Sequence, residues 1–225
     1  MSAGILADLS AGILADSTAS GGFKVSMENQ KDLPQTIKEV LDARPPKRIP
    51  DEKGLYKHAG VLVPIYRQGG AYRILFTKRT HKLEHHKGQI SFPGGSVDKE
   101  DNSVKDTVLR EAREEIGLLE EDVELLGRID DALTVVSDFI VHPFVGLIPY
   151  PYDFIINTDE VARLIKVPLQ VFHPESTAKG TSYKFEGDAY NTPTYEYKGD
   201  VIWGATARIM ETFIDIIGDK LVSSG

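Results

Sequence analysis

Hydrophobic and polar positions alternate with two periods along this chain, and the switches between them set out the expected elements. The segment Asp32 to Leu41 predicts a helix, ended by Ala43-Arg44-Pro45-Pro46. Lys47-Arg48-Ile49-Pro50 reads as an extended lead-in. Ala59 to Tyr66 is apolar and β-branched and predicts a strand. Gln68-Gly69-Gly70 makes a turn, and Tyr72 to Thr77 returns as the second strand of a hairpin. Thr77-Lys78-Arg79-Thr80 leads into a polar loop, His81 to Lys87, and Gln89 to Phe92 is a short strand. That strand delivers a tight turn, Phe92-Pro93-Gly94-Gly95. Beyond it, Val108, Leu109, Ala112 and Ile116 share one arc of a helix and form its expected core face. Ser103 followed by Asp106 reads as the start of that helix.

Val123 to Ala132 and Phe139 to Ile148 predict two more strands, and Pro149, Pro151 and Asp153 break the chain after them. Glu160 to Ile165 fits a strand or a helix, and Val167 to Phe172 suggests a short helix. Ser182 to Phe185 and Thr194 to Tyr197 are expected to pair as a hairpin around Gly187-Asp188. Ala205 to Ile217 is a strongly amphipathic helix. Strands mixed with two main helices on either side predict an α/β fold, an α/β/α sandwich with a mixed central sheet.

Chemistry concentrates on Arg110-Glu111-Ala112-Arg113-Glu114-Glu115-Ile116-Gly117-Leu118. At roughly 100° per residue, Glu111, Glu114 and Glu115 fall within an arc of about 100°. Like charges three or four residues apart cost a helix about 0.2–0.5 kcal/mol per pair. A divalent cation bound to that face would offset the repulsion. Hard cations such as Mg²⁺ take oxygen ligands and share them with substrate phosphates. The alternative is a solvated anionic helix face. The glycines upstream favour the cation, because glycine lets backbone approach a ligand closely.

Composition narrows the field. The chain has 225 residues, 41% hydrophobic and 27% charged, which suits a globular protein with a real core. Its formal net charge of −8 argues against binding a nucleic-acid backbone, but not against a nucleotide substrate. With no cysteine there is no disulfide frame, thiolate nucleophile or zinc–thiolate site. No apolar run approaches the ~20 residues that span a bilayer. Residues 2–8 recur at 10–16, and residues 1–26 read as an added leader with Met27 as the natural start; the alternative is a short natural tail.

The glycine turn followed by the acidic helix resembles the Nudix hydrolase family, whose box reads G-x5-E-x7-R-E-U-x-E-E-x-G-U, with U aliphatic. The second half is matched in full, with Ala112 as the small aliphatic. In the first half, fourteen residues separate Gly95 from Arg110 where the general box has thirteen. Its first Glu is represented by Asp101 with one inserted residue, or by Asn102 without it. Just upstream, coenzyme A pyrophosphatases of this family resemble one another in L-L-T-x-R-[SA]-x3-R-x3-G-x3-F-P-G-G. Here that stretch runs from Leu75-Phe76-Thr77-Lys78-Arg79-Thr80 through Glu84 and Gly88 to Phe92-Pro93-Gly94-Gly95, with its spacing intact. Phe76, Thr80 and Glu84 depart from it, and Glu84 reverses a charge. Asp98 and Asp101 within the longer box, and the run Ile202-Trp203-Gly204-Ala205-Thr206-Ala207-Arg208, are also similar to this subgroup.

The resemblance implies the Nudix fold over about residues 57–220, preceded by a helix and lead-in at 27–56. It implies hydrolysis of the pyrophosphate of coenzyme A to 4′-phosphopantetheine and adenosine 3′,5′-bisphosphate, with Mg²⁺ or Mn²⁺ as cofactor. Glu111 and Glu115 are then the first metal ligands, with Glu114 a third ligand or the base and the Gly95 carbonyl completing the set. Arg110 pairs with a helix carboxylate and holds its rotamer. Arg79 and Lys87 are candidates for the phosphates, with Gly94 and Gly95 beside them, against the alternative of solvent-exposed cations. His85-His86 could bind a transition metal, Trp203 could stack on adenine or join the core, and Glu160 and Glu211 could be late-chain bases or structural residues. The expected setting is cytoplasmic, with a small CoA-like nucleotide, no nucleic-acid or membrane partner, and a homodimer as the candidate assembly. The rivals are a Nudix enzyme for ADP-ribose, NADH or a dinucleoside polyphosphate, and a non-catalytic module of the same fold.

Overall fold

A computed structural model describes residues 33–82, 87–134, 138–173, 182–185 and 188–222. The expected leader, Met27, Glu84 and the His85-His86 pair lie outside the described residues. The chain opens with α1 (Leu33–Asp42), which buries Leu33, Ile37 and Leu41. A polar lead-in runs into β1 (Lys57–Gln68), which turns at Gly69-Gly70 into β2 (Ala71–Arg79). β3 (Ile90–Ser91) and β4 (Gly94–Ser96) flank Phe92-Pro93, and α2 (Val104–Ile116) follows. Next come β5 (Glu124–Arg128), β6 (Ala132–Leu133), β7 (Phe139–Leu147) and β8 (Val161–Pro168). Two short hairpins, β9 (Ser182–Phe185) with β10 (Asp188–Asn191) and β11 (Tyr195–Tyr197) with β12 (Asp200–Ile202), lead to α3 (Gly204–Val222).

β1 lies at the centre of a mixed sheet. It pairs parallel with β7 from Lys57↔Phe139 to Ile65↔Leu147, and antiparallel with β2 and β4. β5 and β6 add antiparallel to β7, while β3 and β8 add antiparallel to β2. Side chains on a strand point alternately to the two faces, so β1 and β2 feed two cores. Leu62, Tyr66 and Leu75 face α2 and meet Val108, Ala112 and Ile116. Val63, Ile65, Ile74 and Phe76 face the other way and meet α1 and α3, including Ile37, Ile209, Met210 and Phe213. The fold is the expected α/β/α sandwich, with α1 joining α3 on the face opposite α2.

Three local expectations are corrected and one open choice is decided. Ser182–Phe185 does not pair with Thr194–Tyr197, because each has a closer partner. Phe185 stands opposite Asp188, and Tyr197 opposite Asp200, so each strand folds back over two residues. At the second turn Lys198 and Gly199 both have positive φ (52° and 79°), the geometry that suits a two-residue hairpin. The single strand expected over Val123 to Ala132 is divided into β5 and β6 by Asp130 and Asp131. Their carboxylates accept the backbone amides of Lys47 and Ile49 instead of continuing a ladder. The choice at Glu160 to Ile165 falls to strand, which begins at Val161 after a turn at Glu160: in β8 Val161, Ile165 and Val167 are buried while Ala162, Arg163 and Lys166 are exposed. The short helix expected from Val167 shrinks to a 3-10 turn, Leu169–Phe172, because Val167 and Pro168 complete the pairing with β2.

Candidate active site

Helix α2 is fastened at both ends. Ser103 caps its start by accepting the Asp106 amide, and Gly117 ends it in the left-handed region at φ 68°. Between the caps Val108, Leu109, Ala112 and Ile116 are buried, as the pattern requires. The three acids therefore sit at graded depths. The Glu115 side chain is 4% exposed, Glu111 17% and Glu114 51%. Glu115 is thus an acid on the edge of the apolar stripe.

The glycine strand closes over this helix. Gly94, Gly95 and Ser96 pair with Val61, Gly60 and Ala59 of β1. A Cβ placed on Gly95 would lie 2.5 Å from the Glu111 carboxylate, so only glycine leaves room for that acid. Gly94, at φ 154°, has no room for a Cβ, which would lie 2.3 Å from the Gly60 carbonyl oxygen.

Arg110 is the hub of the acids. Its Nε and Nη2 donate to the two oxygens of Asp101, each at 3.0 Å. Its Nη1 donates to Glu111 at 2.8 Å and to Glu114 at 3.2 Å, and Nη2 also reaches the Ser96 carbonyl at 3.2 Å. Asp101 further accepts from the Asp98 amide and the Thr107 hydroxyl. The Arg110 guanidinium, with these hydrogen bonds, holds the Asp101 carboxyl well below the usual carboxylate range. Asp101, separated from Gly95 by five residues, is therefore the anchor of the arginine. Asn102 takes no such part among the described hydrogen bonds, and the inserted residue follows Asp101.

Glu115 is differently placed. Burial pushes its carboxyl up to about 8, against the opposing pull of Arg79, and the charges of Glu111 and Glu160 add to the rise. Burial likewise raises Glu111, with Arg110 opposing. Arg79 brings Nη1 to 4.0 Å from Glu115 Oε1, while Glu115 Oε2 is buried with no hydrogen-bond partner among the described residues. Arg79 therefore stands beside the acids, as expected of a phosphate-binding candidate. Lys87 is exposed on the loop before β3.

Glu160 joins the cluster from outside the helix. The Asn157 amide bonds the Glu115 carbonyl, and the Ile155 amide bonds the Ile116 carbonyl. Thr80 ties the other end, its amide to the Glu160 carbonyl and its hydroxyl to the Asp159 carbonyl. The Asn157 side chain donates to Glu160 at 3.2 Å. Nothing in the periodicity foretells this docking, since a polar turn before a strand carries no sign of where it lands. Glu211 lies on α3, in the opposite layer, and Trp203 immediately precedes that helix.

Among the described residues, no three His, Cys, Asp or Glu side chains form a ready-made metal cage. Arg110 draws Glu111 and Glu114 toward itself, and Arg79 faces Glu115. The donor set nevertheless suits a hard cation: carboxylate oxygens, one of them buried and unpartnered, beside a glycine backbone.

The family model of the Nudix domain matches residues 56–184, more than half of the chain. The chain belongs to the Nudix hydrolase family. It is 36% identical over 166 residues to an uncharacterized Nudix hydrolase, NudL, of Photorhabdus laumondii, a match covering 74% of this chain and 86% of that relative. A second NudL, of Pectobacterium atrosepticum, is 36% identical over 164 residues, covering 73% and 84%. Among solved structures, a MutT/nudix family protein from Enterococcus faecalis superposes with a TM-score of 0.51 at 14% identity, covering 90% of this chain and 76% of that one. The last match supports the fold alone. This Nudix hydrolase has no helix among its described residues long and apolar enough to cross a membrane.

Proposed function

We propose that this Nudix hydrolase splits the pyrophosphate of coenzyme A or a derivative, using Mg²⁺ or Mn²⁺, to give 4′-phosphopantetheine (or its acyl form) and adenosine 3′,5′-bisphosphate. The observation that carries the hydrolytic part is the buried, half-unpartnered Glu115 carboxylate, with Glu111 against Gly95 and Arg79 alongside. The coenzyme A part rests on the spacing from Leu75 to Gly95, within which the motif-matching Thr77 and Arg79 both lie in β2.

Glu111, Glu115 and the Gly95 carbonyl would hold the cation, with Glu114 as a further ligand or as the base. Glu160 is a second candidate for the base, since it reaches the acids from a separate loop. Arg110 would keep Glu111 and Glu114 in their rotamers, backed by Asp101. Arg79, Lys87 and the open backbone at Gly94 and Gly95 would receive phosphate oxygens. A divalent cation, when bound, supplies charge neutralisation of the phosphates and a lowered pKa for its water. Residues 57–220 are taken as the hydrolase domain, 27–56 as a helix and lead-in, and 1–26 as a leader. A cytoplasmic homodimer is the assembly that goes with this reading.

The test is a Mg²⁺-dependent hydrolysis panel of coenzyme A, acyl-coenzyme A, ADP-ribose, NADH and dinucleoside polyphosphates, with products identified. Release of adenosine 3′,5′-bisphosphate from coenzyme A at the highest kcat/KM is the expected result. Preferential release of AMP from the other compounds would transfer the site to another nucleoside diphosphate derivative.

A further inference from the structure

A second titratable cluster lies apart from the acids, where the N-terminal lead-in crosses the sheet. His142 of β7 is buried, and its Nε2 is 2.9 Å from Nδ1 of His58 on β1. On its far side, His142 Nδ1 is 2.9 Å from Asp131 Oδ1 and 2.5 Å from Arg128 Nη2. On the far side of His58, Nε2 is 3.5 Å from Asp51 Oδ2. Asp51 belongs to the lead-in, where it also accepts the Leu55 and Tyr56 amides. The groups facing the pair are thus Asp51 from the lead-in, Asp131 from the loop after β5, and Arg128 from β5. The adjoining α2 side contributes apolar Val104 against Gly60.

Two ring nitrogens 2.9 Å apart have room for one hydrogen between them. The neutral pair therefore has two arrangements. In one, His142 Nδ1–H donates to Asp131, His58 Nδ1–H donates to His142, and His58 Nε2 is bare. In the other, Arg128 donates to His142 Nδ1, His142 Nε2–H donates to His58, and His58 Nε2–H donates to Asp51. One added proton converts both into the same cation. It goes to His58 Nε2 in the first arrangement and to His142 Nδ1 in the second. The product donates to Asp131 at one end, where Arg128 releases the ring nitrogen and keeps its own hydrogen bond to Asp131, and to Asp51 at the other, with a single hydrogen between the rings. A second proton would put two hydrogens in that gap and break it.

We infer that His58 and His142 form a one-proton latch, which on protonation ties the Asp51 segment of the lead-in to Asp131 across β1 and β7. The latch sits on the stretch of β1 that also carries the glycine strand. The His58 carbonyl accepts the Val97 amide at 2.9 Å, and the next three residues pair with β4.

NMR titration of the imidazole nitrogens in the full-length protein tests this. In the wild type both rings should respond together, with one proton taken up by the pair, and the amides of Ile49, Leu55 and Tyr56 should move with the same midpoint. Asp51→Asn should uncouple those amides while the rings still share one proton. His142→Gln, which removes the ring between His58 and Asp131, should uncouple the Ile49 amide from those of Leu55 and Tyr56. Two independent titrations in the wild type, each taking one proton, would overturn the latch, as would lead-in amides that ignore the rings. The wild-type and Asp51→Asn measurements decide the matter even if His142→Gln fails to fold.

Discussion

At Glu115 burial and charge conflict, and the consequences can be measured. Its folded-state value of about 8 lies above the ordinary 4.5, so the folded metal-free protein holds a proton that the unfolded chain releases. The stability from that proton is fully present below about pH 4.5 and is lost as pH rises through 8. A cation held by Glu115, as proposed, needs the carboxylate, so calorimetry of Mg²⁺ binding at pH 7 in buffers of different ionisation enthalpy should show proton release. Metal affinity should climb with pH up to about 8. Glu115→Gln should abolish Mg²⁺-dependent turnover without lowering the melting temperature; unchanged turnover would defeat the assignment. Gly95→Ala makes a steric test at the same spot. Its methyl would displace the Glu111 carboxylate, so Mn²⁺ affinity should fall while the fold survives.

Among the elements, the connection between β4 and α2 shows how much rests on one loop. Asp101 links the Asp98 turn, Thr107 in the first turn of α2, and Arg110. Asp101→Asn removes the charge while keeping the shape. Arg110 would then fall back on Glu111 and Glu114 and compete with a cation for them. A loss of about 10–100-fold in Mn²⁺ affinity is expected, with about 1–2 kcal/mol of stability lost because the pair is partly solvated. The helix itself was legible beforehand, since Ser103, the apolar arc and Gly117 each carry a local signal. The strands at Ser182–Phe185 and Tyr195–Tyr197 were legible but their pairing was not, because Asp188, Ala189 and Asn191 around Tyr190 give β10 no alternating pattern, and Asp200–Ile202 is too short to show one.

For the molecule as a whole, α1 packs into the core shared by the sheet and α3 even though it precedes the matched region. Ile37 is fully buried, and Leu41 packs against Gly127 of β5. Ile37→Ala should cost about 2–5 kcal/mol in denaturant unfolding. Deleting residues 1–26, which precede that helix, should leave turnover unchanged; a large loss would move the proposed domain boundary. The identity and spacing of the box acids, the glycine turn and the two-period pattern were enough to specify the fold class and the acidic helix face, because each depends on short-range geometry. Three features arose only when distant segments met. Glu160 comes to Glu111 and Glu115 because the loop at Asn157 docks on α2, Arg79 comes to Glu115 because β2 runs beneath the helix, and Glu115 is hard to ionise because two layers close over it. Docking, cross-sheet proximity and desolvation are properties of the packed chain, and no local stretch of sequence encodes them.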